Sequence, residues 1–337
     1  MRNETRLKYE AFAAAIATLN GVGDATKSFS VSPSVQQTLE TRIQQSSEFL
    51  TRINMIPVQE QEAEKLGLGV IGTIAGRSAG QRIPRSLADL SSGKYRCVQT
   101  NFDSGIPYPQ LDAWAKFKDF QTKLRDIIIK QQALDRMMVG FNGVSIADTT
   151  DRAANPLLQD VNKGWLQQYR DNAPERVMKE VKAASGKVMV GPNVAAADGY
   201  KTLDALAYDA INGMIHEAVA EHPELVVIVG RDLLADKYFP VLNKDQAPSE
   251  QVAADMVISQ KRIGGRPAVS VPFFPAGKML ITTLSNLSLY YQEGARRRYL
   301  REEPDWNRVA NYESSNDAYV VESYEAGCLV ENIQMVP

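Results

Sequence analysis

The stretch from Leu111 to Val139 holds 29 residues with neither proline nor glycine. That restricts the chain more than any other feature. Apolar side chains at Leu111, Trp114, Phe117, Phe120, Leu124, Ile127, Ile128, Leu134 and Met138 follow the spacing of one helical face. Asp112 and Lys116, Asp119 and Lys123, and Asp126 and Lys130 each set an acid four residues ahead of a base, an order worth about 0.3 kcal/mol per pair. Pro109 stands before the run, and Gly140 and Gly143 stand behind it as stop signals. The spacing predicts one continuous helix, about 43 Å long at the usual rise, on which the other layers hang.

The bulk properties remove several function classes. The 337 residues, 44% of them hydrophobic, suffice for a sizeable core and two compact units. Lys and Arg number 38 against 40 Asp and Glu, which argues against a dedicated nucleic-acid binder with its basic excess. Cys97 and Cys328 are the only cysteines, too few for a disulfide framework or a metal site, and they read as small packed apolar groups. No apolar run approaches the roughly 20 residues of a membrane span. Glu4 and Glu10 spoil the positive flank that a secretory signal would need. The chain reads as a soluble intracellular product.

Along the chain, residues 1–20 predict a short amphipathic helix with Leu7, Phe12, Ile16 and Leu19 on one side. A polar, glycine-containing joint follows, so this helix is expected to be an arm, a docking peptide or a removable leader. A second helix is predicted over Ser34–Arg52, with Val35, Leu39, Ile43 and Leu50 inward. From Gln59 to Val98, six glycines break the pattern between β-prone pieces at Val70–Ile74 and Tyr95–Val98. That pattern predicts a long hairpin reaching away from the body, marginal alone and in need of a neighbour's surface. Helical segments are expected at Leu157–Tyr169 and Glu175–Val181, and a connector or surface hairpin at Ala183–Gly199. Leu203–Ala218 gives a regular helical stripe capped by Thr202. Strands are expected at Leu225–Val229, Ala268–Val271, Met279–Thr283 and Leu287–Tyr291, with a short helix at Leu233–Phe239. Two tail strands, Ala318–Tyr324 and Cys328–Ile333, are expected to pair near the long helix.

The motifs with chemical meaning are weak. Gly67, Gly69 and Gly72 spell GxGxxG, but no strand precedes them and no helix opens behind them, so a glycine-rich hairpin explains them better. His216 and His222, the only histidines, lie six apart, the wrong spacing for a zinc pair on a helix, and read as surface or capping residues. With so few histidines no nucleophile–base pair stands out. The run Arg296, Arg297, Arg298 and Arg301 beside Glu302 and Glu303 reads as an acid-neutralised surface, either solvated or between subunits. The chain is read as no enzyme, with no catalytic, cofactor or metal residues. A nucleotide-dependent α/β enzyme using the end of the Leu225–Val229 strand, and a tail or sheath protein, stand as the alternatives.

Longer segments carry a resemblance. The opening MRNETR, SSEFLTRIN (46–54), WAKFKDFQ (114–121), GFNG (140–143), LLQDVNKGWLQ (157–167), VVIVGRDLLADKYFP (226–240), VISQKRIGG (257–265) and NYESSNDAYVVESYEAGCLVENI (311–333) resemble the major capsid proteins of temperate tailed phages of the Peduovirus type. The resemblance covers nearly the whole chain. It implies an α+β chain with the Hong Kong 97-type phage capsid fold. Its parts would be an N-terminal segment (1–29) removed on maturation, an N-terminal arm (30–58), an extended loop (59–100), a peripheral domain with the spine helix (101–164), an axial domain (165–290) and return strands of the peripheral domain (291–337). It also implies pentamers and hexamers closing into an icosahedral head around double-stranded DNA, with a scaffolding protein, a maturation protease and a portal protein as partners. DNA would touch the wall without sequence specificity and no membrane would be involved. The chain would reside in the virion after assembly in the host cytoplasm. The position matching the maturation cut is the Phe29–Ser30 bond.

Overall fold

A computed structural model describes residues 1–65, 75, 77, 80–81, 93–117, 120–242 and 261–336. The chain divides into two compact units. Unit 1 comprises Met1–Ala63, Lys94–Met137 and Leu289–Ala318, and unit 2 comprises Glu64–Gly93, Met138–Ser288 and Tyr319–Pro337.

In unit 1, helix α1 (Asn3–Asn20) ends on Gly21, whose left-handed φ of 65° suits glycine. Helices α2 (Pro33–Gln45) and α3 (Glu48–Arg52) take the place of the single helix predicted to Arg52. The long central helix is also two pieces, α4 (Tyr108–Trp114) and α5 (Phe120–Asn142). Asp112, the first acid of the expected ladder, accepts from the backbone N–H of Arg2, at 3.0 Å. Asp126 turns to its neighbour Arg125, while Asp119 lies outside the described residues. The largest sheet runs β1 (Phe29–Ser30), β15 (Arg297–Glu303), β16 (Arg308–Val321), β14 (Leu287–Gln292), β2 (Asn54–Val58), with β5 (Val98–Asn101) and β6 (Ser104–Pro107) also on β16. Strands β3 (Glu62–Glu64) and β4 (Lys94–Arg96) pair at the foot of the predicted hairpin. The rest of that hairpin, including Val70–Ile74 and the GxGxxG glycines, lies outside the described residues.

Unit 2 is built on a six-stranded sheet. Its order is β11 (Arg262–Ile263), β12 (Arg266–Ser270), β10 (Leu225–Val229), β13 (Met279–Thr283), β17 (Gly327–Val330), β7 (Val177–Met178). The predicted apolar run is β10 to the residue, paired parallel with β12 and antiparallel with β13. Helix α7 (Leu203–Met214) lays Leu206, Ala207, Ala210 and Ile211 into the same core, and the Thr202 hydroxyl accepts from Ala205 N–H at 3.1 Å, as its position predicted. Three short helices complete the unit: α6 (Trp165–Asn172), α8 (Glu217–Ala220) and α9 (Arg231–Leu242).

Five expectations fail here. The residues predicted as the Leu157–Tyr169 helix begin helix only at Trp165, and Glu175–Val181 gives one 3-10 turn and then β7. The connector Ala183–Gly199 carries β8 (Val188–Val190), which pairs with β9 (Gly199–Tyr200) and with β18 (Ile333–Met335), and Val188 and Val190 are fully buried. The second tail strand is β17, which enters this sheet between β13 and β7 and does not return to the long helix, since all four of its residues are buried there. Gly140 does not stop α5: a Cβ there would lie 2.2 Å from the Trp165 ring, so glycine serves close packing inside the helix. Trp165 is 0% exposed, edge-on to Phe141 and Tyr319 and donating from Nε1 to the carbonyl of Ser288 at 2.9 Å.

Candidate functional site: a buried charge network and a clasped terminal helix

The central part of unit 1 is ionic. Arg136 on α5 is 1% exposed and Arg296 is 0% exposed. The Arg136 fork donates to both oxygens of Asp317, at 2.9 and 3.1 Å, and to the carboxylate of Glu40 on α2. Arg296 donates to the same Glu40 at 2.5 Å and to Glu313 at 2.8 Å. Gln132 sits between, accepting from Arg296 at 2.7 Å and donating to Glu313 at 3.0 Å. Ser315 completes the set by accepting from Arg136 at 3.3 Å and donating to Asp317. Two guanidinium groups thus bind three carboxylates drawn from two distant stretches of chain, α2 and β16, with the half-buried Arg298 close enough to act on Glu313. Burial alone would push Glu313 up, but Arg296 and Arg298 outweigh it and hold the group down at about 2. Burial works against Glu40 as well, and Arg136 and Arg296 keep it below the ordinary carboxylate range.

This network corrects two sequence readings. Arg296 belongs by sequence to a neutralised surface run, yet it is buried, and its partners are Glu40 and Glu313 rather than the nearby Glu302 and Glu303. The inward face of α5 is also not the predicted stripe. Ile127 is exposed, while Gln132, Arg136 and Met137 are buried, because polar residues with partners in place pack as tightly as apolar ones.

The terminal helix α1 is likewise no free arm. Tyr9, Phe12, Ile16 and Ala17 sink into a seat made by Leu111, Leu124, Leu300 and Val309, where each of the larger side chains stabilises by about 1.5–3 kcal/mol. Leu7 and Leu19, expected inward, are each 68% exposed. Polar clasps close the rim. Arg6 pairs with Glu302 at 3.0 Å, the Tyr108 hydroxyl donates to Glu302 at 3.0 Å, and Lys8 donates to the carbonyl of Ala115. The joint is tied down too, for Ala25 is buried and its carbonyl accepts from Leu300 N–H at 2.9 Å. The fit is incomplete. A cavity of ≈ 20 Å³ lies against Tyr9 and Phe12, and the buried Tyr9 hydroxyl has no hydrogen-bond partner among the described residues.

Phe29 and Ser30 form β1 and pair with Arg298 and Arg297 of β15. Phe29 is buried, and the Ser30 hydroxyl donates to the carbonyl of Gly294 at 2.7 Å. Both histidines and both cysteines have local structural roles. The Nδ1 atoms of His216 and His222 each accept a backbone N–H two residues on, at 3.2 Å, so both cap turns as their placement predicted. Burial pushes the thiols of Cys97 and Cys328 up to about 12, far from the thiolate that a nucleophile requires. Among the described residues no cluster of His, Cys, Asp and Glu is placed to hold a metal ion, and no helix is long and apolar enough to cross a membrane.

Comparison with known proteins bears on the whole chain. The family described as "Phage major capsid protein, P2 family" matches residues 8–333. A chain named "Capsid proteins" from Escherichia phage P2 is 54% identical over 99% of this chain and 96% of its own length. The "Major capsid protein" of Serratia phage KSP20 is 39% identical over 99% of this chain and 97% of its own. Among solved structures, a chain of the satellite phage P4 procapsid that includes the size determination (Sid) protein superposes with a TM-score of 0.83 at 50% identity, covering 100% of this chain and 99% of the other.

Proposed function

The chain belongs to the P2 family of phage major capsid proteins and is itself a major capsid protein with the Hong Kong 97-type fold; from that premise we propose that its copies form pentamers and hexamers and close into an icosahedral shell around double-stranded DNA. The observation that carries this reading is the agreement over almost the full length with a procapsid chain. In this reading residues 30–58 are the N-terminal arm, 59–100 the extended loop, 101–164 and 291–318 the peripheral domain, and 165–290 together with the tail strands β17 and β18 the axial domain. The work of the chain is structural rather than catalytic. A scaffolding protein, a maturation protease and a portal protein act on it in the host cytoplasm before it becomes part of the virion. A near-neutral wall suits packaged DNA, since a strongly basic one would release counterions and hold the DNA fast.

We also propose that residues 1–29 are removed by a cut at the Phe29–Ser30 bond. A protease needs its substrate extended and accessible, whereas Phe29 is buried and the bond is paired with β15. The cut therefore follows withdrawal of β1 from the sheet, and the imperfect seat of α1 makes that withdrawal less costly. Negative-stain imaging of the expressed full chain tests the shell, and open tubes or a permanent monomer would refute it. Intact-mass measurement of subunits from mature particles tests the cut: the expected chain begins at Ser30, and a full-length chain there rules the cleavage out.

A further inference from the structure

The Phe29–Ser30 bond lies inside a loop whose two ends are fastened independently. Upstream, α1 ends at Asn20, and the Asn20 side-chain oxygen accepts from the backbone N–H of Ser32 at 3.4 Å, so the chain between them closes on itself. Downstream, α2 has contacts of its own. The Gln36 amide donates to the carbonyl of Gln292 at 3.0 Å and accepts from Gly294 N–H at 2.9 Å, and one turn on Glu40 enters the ionic network. Inside the loop the Ala25 carbonyl accepts from Leu300 N–H, Phe29 and Ser30 pair with β15, and Val31 N–H donates to the carbonyl of Arg296 at 2.8 Å. Peeling β1 from the sheet breaks contacts of this loop and leaves both anchors in place.

The upstream anchor does not need chain continuity at residue 29. Arg6 reaches both oxygens of Glu302, at 3.3 and 3.0 Å, Arg2 N–H donates to Asp112, and Lys8 donates to the carbonyl of Ala115. Tyr9, Phe12 and Ile16 pack on Leu111, Leu124, Leu300 and Val309. Every one of these partners lies beyond the cut and so belongs to the shortened chain. The cavity at Tyr9 weakens the seat without removing any of them. Hydrolysis adds water across the bond, leaving a carboxylate on Phe29 and an amine on Ser30, and touches neither anchor. Without α1 the subunit would bare an apolar trough with the carboxylates of Asp112 and Glu302 on its rim, and an exposed surface of that make-up draws a cover. The cover that matches it in apolar pattern and charge is the helix already there, and a closed shell keeps that helix at high local concentration. We propose that the seat is a peptide-binding site: after the cut, residues 1–29 stay on the subunit as a non-covalent helical ligand.

The inference rests on the cleavage reading, and one preparation separates the two. Mature particles grown from the full chain are ruptured, dialysed so that unbound peptide escapes, and weighed by mass spectrometry. Subunits that begin at Ser30 should be accompanied by the 1–29 peptide in equal amount. Arg6→Gln loosens the exposed rim and should lower the retained amount several-fold, and Phe12→Ala should lower it by about tenfold or more. Leu19→Ser, at a side chain that is 68% exposed, should leave it unchanged. Subunits that begin at Ser30 without the peptide overturn retention and leave the cut standing. Peptide that persists equally in the Arg6→Gln and Phe12→Ala particles is trapped rather than seated, and overturns the binding site. Subunits that still begin at Met1 sink both readings.

Discussion

The two units bury opposite chemistries. Unit 2 packs Leu206, Ala210, Val227, Val229, Met279, Ile281, Cys328 and Val330 into an apolar core between a helix and a sheet. Unit 1 places Glu40, Gln132, Arg136, Arg296, Glu313 and Asp317 where a core would ordinarily be oily. An apolar core accepts many arrangements of similar volume. A charged one accepts only the arrangement in which every group meets its mate, because a buried charge without a partner costs more than a missing methylene. The difference therefore teaches where each unit draws its specificity: unit 2 from pattern and volume, unit 1 from pairing across distant parts of the chain.

The largest expected effect attacks that pairing. Replacing Arg296 by Met leaves Glu40 and Glu313 short of a cation in a buried site and should destabilise unit 1 by about 3–5 kcal/mol. Urea unfolding followed by hydrogen exchange in residues 33–45 and 289–318 measures it, and a loss below about 1 kcal/mol would remove the contrast between the units. Next comes the apolar counterpart. Leu206→Ala empties part of the unit 2 core and should cost roughly 3 kcal/mol, with local exchange rising in 203–214 and 225–229. Its cost should be the same at neutral and at acid pH. The Arg296→Met penalty should shrink in acid, as its orphaned carboxylates protonate.

The same division explains what could be read in advance. Strand β10, the Thr202 cap, the α7 stripe and the roles of both histidines were legible because each is written in consecutive residues with a fixed period or spacing. Arg296 was not legible, since its meaning depends on Glu40, which lies 256 positions away. The burial of Gln36 and Glu40 on α2 escaped a pattern that sorts side chains into apolar-in and polar-out. Helix α1 differs from the expected free arm for a related reason. A glycine-containing joint suggests freedom, but Ala25, Phe29 and Val31 fasten it through backbone contacts with β15 and its approach. The Phe29–Ser30 bond came from resemblance alone, and nothing in its own residues marks it.

Acid should separate the units without any mutation. Glu313 sits at about 2 in the folded chain, against an ordinary value near 4.5 when unfolded. Its folded value is depressed, so its contribution is fully present above the unfolded value and is lost as pH falls towards the folded one. Glu313 alone should cost unit 1 about 2 kcal/mol by about pH 3. Glu40 is lowered as well and adds loss in the same direction. Hydrogen exchange at stepped pH should show 289–318 opening before 225–229 and 279–283. Unit 2 has its own depressed carboxylate in Glu331, bound by Arg170 at 2.6 Å and by Lys278 at 2.9 Å, but no apolar core residue of that unit titrates in this window. Simultaneous opening of both units would break the comparison.

The smallest effect isolates a purely local contribution. The Thr202 hydroxyl accepts from Ala205 N–H at 3.1 Å at the exposed start of α7. Thr202→Ala removes one cap and should lower stability by about 1 kcal/mol, independent of pH between about 3 and 7, because no titrating group takes part. Thr202→Ser keeps the accepting oxygen and should recover most of the loss. Thermal unfolding of the three proteins at both ends of that range is the measurement. If the alanine variant matched the parent, the first turn of α7 would be held by the sheet beneath it, and sequence-local signals would matter less in unit 2 than the cap implies. If its cost varied with pH in step with Glu313, the two units would be coupled and the division between an apolar and an ionic core would fail.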